Sequence, residues 1–325
     1  MTRHHERGHK LWSDGDLRGA ASAYQAAIET DPKDVMAYFH LGNVFEQCWD
    51  IDHALMAYRK GLEVDPKHVG IHVSVGNVLL GQDNIHGAKE AYLAALQLEP
   101  MHKKAWYNLG SALWSAGDLV GAAAAYRKLL EVDAGNVKAW KALARIMQNQ
   151  EDYNAAAGAY RKAIELDPRH VGAYAGLGVV LQHAGDFRGA EEAYQVALEL
   201  DPYHGGCHYN LANMLWDQGE LDRALAEYQQ VPKCDKRFVQ ASFRTGNILQ
   251  NQGRLDSAIV AYKVVLVADP SHVGAHAAWG DVLYTQGNLP RAEAAYREVL
   301  KIEPGHRRAQ EFLAKLEREK TDQSR

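Results

Sequence analysis

The sequence has little cysteine and no long apolar segment. Its three cysteines, Cys48, Cys207 and Cys234, are not spaced as disulfide or zinc pairs. No stretch approaches the roughly 18 apolar residues that a membrane-spanning helix requires, and the first residues lack the apolar centre of a secretory signal. We therefore expect no membrane insertion, and a cytoplasmic or other reducing intracellular compartment.

The sequence also lacks a strong excess of one charge and lacks catalytic signatures. It has 36 Lys and Arg against 41 Asp and Glu, a net charge of −5. The basic residues are scattered and do not form the stripe that nucleic acid attracts. No phosphate-binding glycine loop and no nucleophile motif is present. These absences predict a protein that is not an enzyme, holds no cofactor and does not bind nucleic acid.

What the sequence does contain is a period of 34 residues. Such a period is typical of a repeat protein, in which one supersecondary motif is copied and stacked. A tyrosine recurs nine times without insertion, with an alanine four residues before each one. Most repeats also carry a glycine at place eight, counted with Met1 as place one, and a proline near the end. The tyrosines are Tyr24, Tyr58, Tyr92, Tyr126, Tyr160, Tyr194, Tyr228, Tyr262 and Tyr296.

This pattern resembles that of the tetratricopeptide repeat (TPR) family. Trp106, Leu109 and Gly110, followed by Tyr126, show the signature most clearly. The resemblance implies an all-α fold, an α-solenoid of nine in-register helical hairpins wound into a right-handed superhelix. We expect one continuous array over residues 1–320, in which a capping helix at 307–320 follows the repeats, and a frayed tail at 321–325. The repeats are 1–34, 35–68, 69–102, 103–136, 137–170, 171–204, 205–238, 239–272 and 273–306.

Each repeat is expected to form two helices separated by a turn. In the repeat at 103–136, Gly117 breaks the first helix and Asp118 can cap the second. A proline after Asp or Glu ends most second helices, because proline cannot donate the next backbone hydrogen bond. The segment 231–237 departs from this pattern, since its proline comes four residues early. The second helix of that repeat should therefore be short.

Histidine occurs in two patterns. His5, Glu6 and His9 form a His-Glu-x-x-His sequence, which on a helix can bind zinc. Because these residues lie in the first helix of an in-phase repeat, we interpret them as part of an exposed capping helix and predict no metal site. Other histidines follow the proline position by two residues, and successive repeats are too far apart to share an ion. We interpret these as helix-start residues: His68, His102, His170, His204, His272 and His306.

The resemblance implies where a partner would bind. In TPR proteins the first helix of each hairpin lines a concave groove, and places 2, 5, 6, 9, 12 and 13 commonly contact the ligand. Place nine carries Asn43, Asn77, Asn213 and Asn247. Each amide offers a donor and an acceptor to a peptide backbone. Alternatively, asparagine is frequent at this place whatever the protein binds.

Two repeats carry aromatic residues at groove places, as interface hot spots do. The groove places of one repeat carry Lys104, Tyr107, Asn108 and Trp114, and those of the other carry Tyr209, Asn210, Asn213 and Trp216. Arg244, in the repeat that follows the second set, also occupies a groove place. The tryptophans could instead pack against an adjacent hairpin. A carboxylate clamp of the kind that holds acidic chaperone tails is incomplete in both places.

We therefore expect a non-enzymatic scaffold or adaptor that binds a peptide or protein in its groove. A second docking point is expected at Lys233, Lys236 and Arg237, unless the irregular segment is only a tolerated repeat defect. The alternative is a structural or assembly subunit of a larger complex, or a homo-oligomer. A substrate-recruiting partner of a separate transferase ranks lower, because only Asn108 and Asn210 match the asparagine pattern that such proteins show.

Overall fold

The computed structural model describes the backbone of residues 3–323 and the side chains of residues 3–318, and every regular element within them is an α-helix. The helices are α1 (Arg3–Ser13), α2 (Leu17–Thr30), α3 (Val35–Gln47), α4 (Ile51–Val64), α5 (Val69–Gly81), α6 (Ile85–Leu98), α7 (Lys103–Ser115), α8 (Leu119–Val132), α9 (Val137–Asn149), α10 (Tyr153–Leu166), α11 (Val171–His183), α12 (Phe187–Leu200), α13 (Gly205–Asp217), α14 (Leu221–Gln229), α15 (Phe238–Asn251), α16 (Leu255–Ala268), α17 (Val273–Thr285), α18 (Leu289–Ile302) and α19 (Arg307–Gln323). Odd-numbered helices up to α17 are the first helices of the hairpins, and even-numbered helices are the second. The predicted all-α fold is confirmed. No described helix combines the length and apolar character needed to cross a membrane.

The chain divides into two compact units, Met1–Pro168 and Arg169–Arg325. The first holds the five hairpins from α1 to α10. The second holds the four hairpins from α11 to α18, together with α19. The last helix runs three residues past the predicted end of the capping helix, and residues 324–325 of the predicted frayed tail lie outside the described part of the chain. In α19, Phe312 lies 4.1 Å from Tyr296 between ring centroids and Ala309 is fully buried, so this helix covers the last hairpin.

Most of the described helices start at a side-chain cap, whereas α14, α15, α16 and α18 have no such hydrogen bond. Asp118 accepts a hydrogen bond from the backbone N–H of Gly121 at 2.8 Å, as its position in the sequence predicts. The histidines that follow the proline position by two residues also cap helices, which confirms the interpretation of these residues as helix starts. Nδ1 of His68 accepts from the N–H of Ile71 at 3.1 Å, and the equivalent histidines of later repeats do the same. Those are His102, His170, His204, His272 and His306.

In seven of the nine repeats, the repeat tyrosine packs on the place-eight glycine of the same hairpin, and in the other two Ala144 and Ala212 take the place of the glycine. Tyr92 is fully buried, and a Cβ on Gly76 would lie 2.5 Å from its Cε1. No neighbour as large as a methyl group therefore fits between the first helix and this ring. Ala88, one turn before the tyrosine, is also fully buried. The recurring spacing of small and large residues along the chain thus reflects packing within one hairpin.

The turn inside each hairpin needs a left-handed residue at place fifteen. Six repeats supply glycine there, for example Gly117 with φ of +78°, which is where glycine is least strained. Three repeats place Trp49, Asp83 and Glu151 at the same position, with φ of 60° or 61°. An L-residue in this conformation costs about 1–2 kcal/mol. The backbone of the turn is therefore retained even where the preferred residue is missing.

The irregular segment shortens one helix, as expected. The second helix α14 has 9 residues, whereas the neighbouring second helix α12 has 14. The chain then continues through a non-helical segment in which Val231 is buried. The short α14 is a direct consequence of the early Pro232, which cannot donate the hydrogen bond that another turn would need.

Candidate functional site

The place-nine amides bind the repeat tyrosines. Tyr58 donates to Oδ1 of Asn43 at 2.6 Å, and Tyr92 donates to Oδ1 of Asn77 at 2.9 Å. Asn213 and Asn247 accept from their tyrosines at 2.5 and 2.9 Å. In each of these pairs the tyrosine follows fifteen residues after the asparagine. Each amide oxygen therefore uses at least one of its two lone pairs within the protein, and the Nδ2 groups are the main donors left for a partner.

The repeat tyrosines are protonated at neutral pH, and burial moves their pKa further from it. Burial raises the pKa of Tyr92 above its usual value, and it raises the pKa of Tyr160 to about 12. At neutral pH each hydroxyl is protonated and continues to donate. In the two repeats with Arg145 and Val179 at place nine, Gln148 and Gln182 supply the acceptor oxygen instead, at 3.3 and 3.0 Å.

Two successive first helices are also linked through the same acceptor. Nδ2 of Asn108 donates to Oδ1 of Asn77 at 2.6 Å, so one oxygen receives both Asn108 and Tyr92. A carbonyl oxygen has two lone pairs and is now saturated. Asn77 and Asn108, both predicted site residues, therefore link two successive hairpins inside the protein.

One cleft of the first compact unit is lined mainly by first helices and their turns, and we call it the N-terminal cleft. It has a volume of about 800 Å³. Three predicted groove residues meet there, namely Asn43, Asn77 and Lys104. Its apolar walls are Trp12, Phe39 and Trp49. The arrangement offers aromatic surface together with amide and ammonium donors, which suits an extended peptide.

Trp49 in this cleft was missed by the sequence analysis. Its side chain is 88% exposed, and its φ of 60° is one that a bulky residue adopts only at a cost. The signal was present in the sequence, because tryptophan stands where six other repeats have glycine. A strained and exposed aromatic residue at the margin of a cleft is a candidate contact for a partner.

A second cleft of about 290 Å³ lies between α7 and α9, and we call it the basic cleft. The guanidinium of Arg145 lies 4.9 Å from the ring centroid of Trp114, a cation–π arrangement. Tyr107, Lys138 and Lys141 complete the lining. Burial, followed by the charges of Arg145 and Lys138, lowers the pKa of Lys141. The basic cleft therefore has a positive potential that a bound anion would relieve.

The second compact unit repeats the aromatic–cation arrangement between α13 and α15. Arg244 lies 5.2 Å from the ring centroid of Trp216, and its buried Nε has no hydrogen-bond partner among the described residues. Tyr209 packs edge-on against Tyr228 at 5.9 Å. Asn210 and Asn213 lie half-buried on the same helix. Each tryptophan packs against an arginine of the next hairpin and is half-buried, and its contact with a partner stays a prediction.

The predicted second docking point is only partly available. Arg237 forms an ion pair with Asp235 at 3.2 Å, and both residues belong to the irregular segment 231–237. The charge of Arg237 is therefore neutralised within that segment. Lys233 and Lys236 are exposed. The positive charge left for a partner is therefore that of the two lysines.

The amino-terminal histidines do not form a peptidase site. Glu6, which would be the catalytic base of such a site, is exposed, whereas His5 is buried. His5 and His9 instead meet His40, a residue of α3 that the sequence analysis did not connect with them. Burial, followed by the nearby His9 and His5, lowers the pKa of His40 to about 4, so its ring is neutral at physiological pH.

Comparison with known proteins agrees with this geometry. Family models described as tetratricopeptide repeat match residues 37–68, 75–137, 141–205, 181–241 and 249–316, and one described as TPR repeat matches residues 8–47. A search of curated protein sequences gives no match.

Several solved structures share the fold. YrrB, described as a TPR protein with an unusual peptide-binding site, is 23% identical, with a TM-score of 0.52 over 58% of this chain and 97% of its own. The pilF protein of Pseudomonas aeruginosa is 18% identical, with a TM-score of 0.54 over 64% of this chain and 94% of its own. A tetratricopeptide repeat protein from Parabacteroides merdae is also 18% identical, with a TM-score of 0.54 over 76% and 97%. At these identities the likeness concerns the fold alone.

Proposed function

Because the chain belongs to the tetratricopeptide repeat family, we propose that it is a non-enzymatic scaffold that binds a peptide or protein partner through the faces of its first helices. The observation that carries this proposal is the basic cleft, where Trp114, Arg145 and Lys141 converge. Trp, Tyr and Arg are the residue types that dominate interface hot spots. The description of YrrB as having a peptide-binding site is consistent with such a role.

The residues that line the N-terminal cleft and the basic cleft favour a partner with hydrogen-bond acceptors and negative charge. The place-nine oxygens are already bound to tyrosine hydroxyls, so Asn43 and Asn77 present chiefly their N–H groups. Lys104 is exposed beside them, and the one carboxylate in this lining, that of Glu46, accepts from the hydroxyl of Tyr58. In the basic cleft three cations line one space with Trp114. A segment with an acidic side chain next to an apolar or aromatic one fits both the charge and the exposed ring.

A peptide library displayed on phage tests this proposal. The untagged full chain should enrich peptides that carry Asp or Glu beside an apolar or aromatic residue. Arg145→Glu should abolish binding of the enriched peptides, because it reverses the charge beside Trp114. Arg127→Glu is the matched control, since it reverses an exposed arginine on the second helix of the preceding hairpin. Enriched peptides without acidic residues, or peptides that bind Arg145→Glu as tightly as the wild type, would contradict the proposal.

A structural subunit of a larger assembly is the second candidate, and one observation favours it. The second helix α16 exposes Val260, Val264 and Val267, with Val260 and Val264 lining a cleft that also includes Phe238. Exposed apolar residues grouped on one helix are typical of protein interfaces. Light scattering distinguishes the two candidates. A chain that forms a stable oligomer which Val260→Lys/Val267→Lys dissociates would favour the subunit role, whereas a monomer would favour the adaptor.

A further inference from the structure

Three histidines from two hairpins converge at the amino-terminal end of the first compact unit. One ring nitrogen from each of His5, His9 and His40 lies within 4.8 Å of one from each of the others. The ring centroids of His9 and His40 are 4.6 Å apart, and those of His5 and His40 are 6.0 Å apart. His5 is buried and the other two are half-buried, so the cluster is not a chance grouping of free surface side chains.

The spacing suits a small ion. In a tetrahedral zinc site with Zn–N distances of about 2.0–2.1 Å, the donor nitrogens are about 3.3–3.4 Å apart. Modest rotations of the rings would bring nitrogens within 4.8 Å to that separation. His5 and His9 are four residues apart on one face of α1, and His40 comes from α3, so the donors approach from two directions.

In two of these histidines, one ring nitrogen already forms a hydrogen bond within the protein. Nε2 of His5 lies 2.6 Å from Oδ2 of Asp34. Nδ1 of His9 lies 3.1 Å from the hydroxyl of Tyr24. Metal-binding histidines usually donate their other N–H to a carboxylate or another oxygen, which fixes the ring and its tautomer. The pattern leaves Nδ1 of His5 and Nε2 of His9 as the nitrogens for an ion.

The carboxylate behind His5 is itself fixed by the backbone. Asp34 is the N-cap of α3, and its Oδ1 accepts from the N–H of Ala37 at 3.0 Å. Its other oxygen is thereby directed at His5. On the third histidine, Nδ1 of His40 is buried and has no hydrogen-bond partner among the described residues. A buried polar atom without a partner costs about 1–3 kcal/mol, and coordination of an ion would satisfy it.

We propose that His5, His9 and His40 form a binding site for a divalent transition metal ion, zinc in the first place, which links the first hairpin to the second. Imidazole nitrogens are preferred ligands of zinc, copper and nickel, whereas magnesium and calcium prefer oxygen. The fourth position would be filled by water or by a side chain of a partner. An ion bound only by the folded chain would stabilise this contact between the two hairpins.

Cobalt provides a spectroscopic test on the full chain without an affinity tag. After treatment with a chelator, the protein is titrated with Co²⁺ and the visible d–d absorption is recorded, then Zn²⁺ is added. We expect one equivalent of Co²⁺ with the intense absorption of a four- or five-coordinate site, displaced by one equivalent of Zn²⁺. His40→Gln and His9→Gln should each abolish that signal. His86→Gln, which changes an exposed histidine on α6, should leave it unchanged.

A second variant tests the supporting carboxylate and guards against loss of fold. Asp34→Asn retains an oxygen for the helix cap but weakens the acceptor for His5, and should lower the metal affinity about 10–100-fold. Circular dichroism and thermal unfolding without metal show whether each variant is folded. Zn²⁺ should raise the Tm of the wild type but not of His40→Gln. Absence of stoichiometric Co²⁺ binding by the wild type, or equal binding by folded His40→Gln, would overturn the proposal.

Discussion

The hydroxyl of Tyr92 donates to Oδ1 of Asn77, and Nδ2 of Asn108 donates to the same oxygen from the next hairpin. One side-chain oxygen thus joins the core of its own hairpin to the exposed face of its neighbour. Burial raises the pKa of Tyr92 even further above neutral pH, where the hydroxyl is a donor. Asn77 therefore has a structural role, and its contact with a partner stays a prediction.

Loss of this acceptor should be costly. Asn77→Ala leaves the hydroxyl of Tyr92 unpaired inside the hairpin, so we expect the free energy of unfolding to fall by about 1–3 kcal/mol. Asn154→Ala, which removes an exposed asparagine of α10, should change it by less than about 0.5 kcal/mol. Urea unfolding followed by circular dichroism measures both. Equal effects of the two changes would show that the Tyr92 hydrogen bond contributes nothing.

The place-eight glycines should not tolerate a side chain. Gly76→Ala would place Cβ 2.5 Å from the ring of Tyr92, and we expect a loss of about 1–3 kcal/mol of stability through overpacking. Gly158→Ala is the matched change, because nothing lies within 4 Å of the new Cβ on α10, and it should stabilise the helix by up to about 1 kcal/mol. Thermal unfolding should give a lower Tm than the wild type for Gly76→Ala and a higher Tm for Gly158→Ala. Shifts in the same direction would contradict the prediction.

The left-handed turns offer a stabilising substitution. Glu151 has φ of 61° at place fifteen, where Gly117 has φ of +78°. Glu151→Gly should relieve strain and stabilise the protein by about 1 kcal/mol, whereas Gly117→Ala should destabilise it by about 1–2 kcal/mol. The midpoints of urea unfolding provide the comparison. A lower midpoint for Glu151→Gly would mean that its φ is not a source of strain.

Trp49 should show a trade-off between stability and binding. Trp49→Gly removes the same backbone strain and should raise the free energy of unfolding by about 1 kcal/mol. If the tryptophan contacts a partner in the N-terminal cleft, the same change should weaken binding of the peptides selected by the full chain. Asp83→Gly, which alters the equivalent residue of the next repeat, serves as the control. Undiminished peptide binding by Trp49→Gly would remove Trp49 from the candidate site.

The histidine caps should make stability depend on pH. Burial lowers the pKa of His68, an effect that Asp65 partly opposes. The folded protein therefore binds fewer protons at this residue than the unfolded chain, whose histidines titrate near about 6.5. The contribution of His68 is present above that pH and is lost as the pH falls below it. A protonated Nδ1 also cannot accept from the N–H of Ile71.

His68→Asn separates the cap from the titration. Asparagine is a strong N-cap at any pH, so the variant should lose less stability than the wild type between about pH 7.5 and about pH 5, with a difference of up to about 1 kcal/mol. Urea unfolding at the two pH values measures it. Identical losses in wild type and variant would show that protonation of His68 does not affect folding.

The sequence by itself determined the local structure of this protein. The period of 34 residues, the alanine–tyrosine spacing and the placement of Gly117, Asp118 and Pro232 were sufficient to predict helical hairpins, a cap and one short helix. These features depend on neighbours three to fifteen residues away, whose geometry in helices and turns is known in advance. Resemblance to a repeat family added the faces on which Trp114 and Trp216 lie.

The tertiary structure decided which side chains meet. Arg145 over Trp114, Asn108 on Asn77, and His40 beside His9 are pairs separated by 31 residues. Such residues come together only after one hairpin packs on the next, and the spacing alone does not say which rotamers they adopt or which polar atoms stay unpaired. For that reason the sequence predicted which faces of the first helices carry candidate residues. Packing between hairpins determined the basic cleft and the histidine cluster.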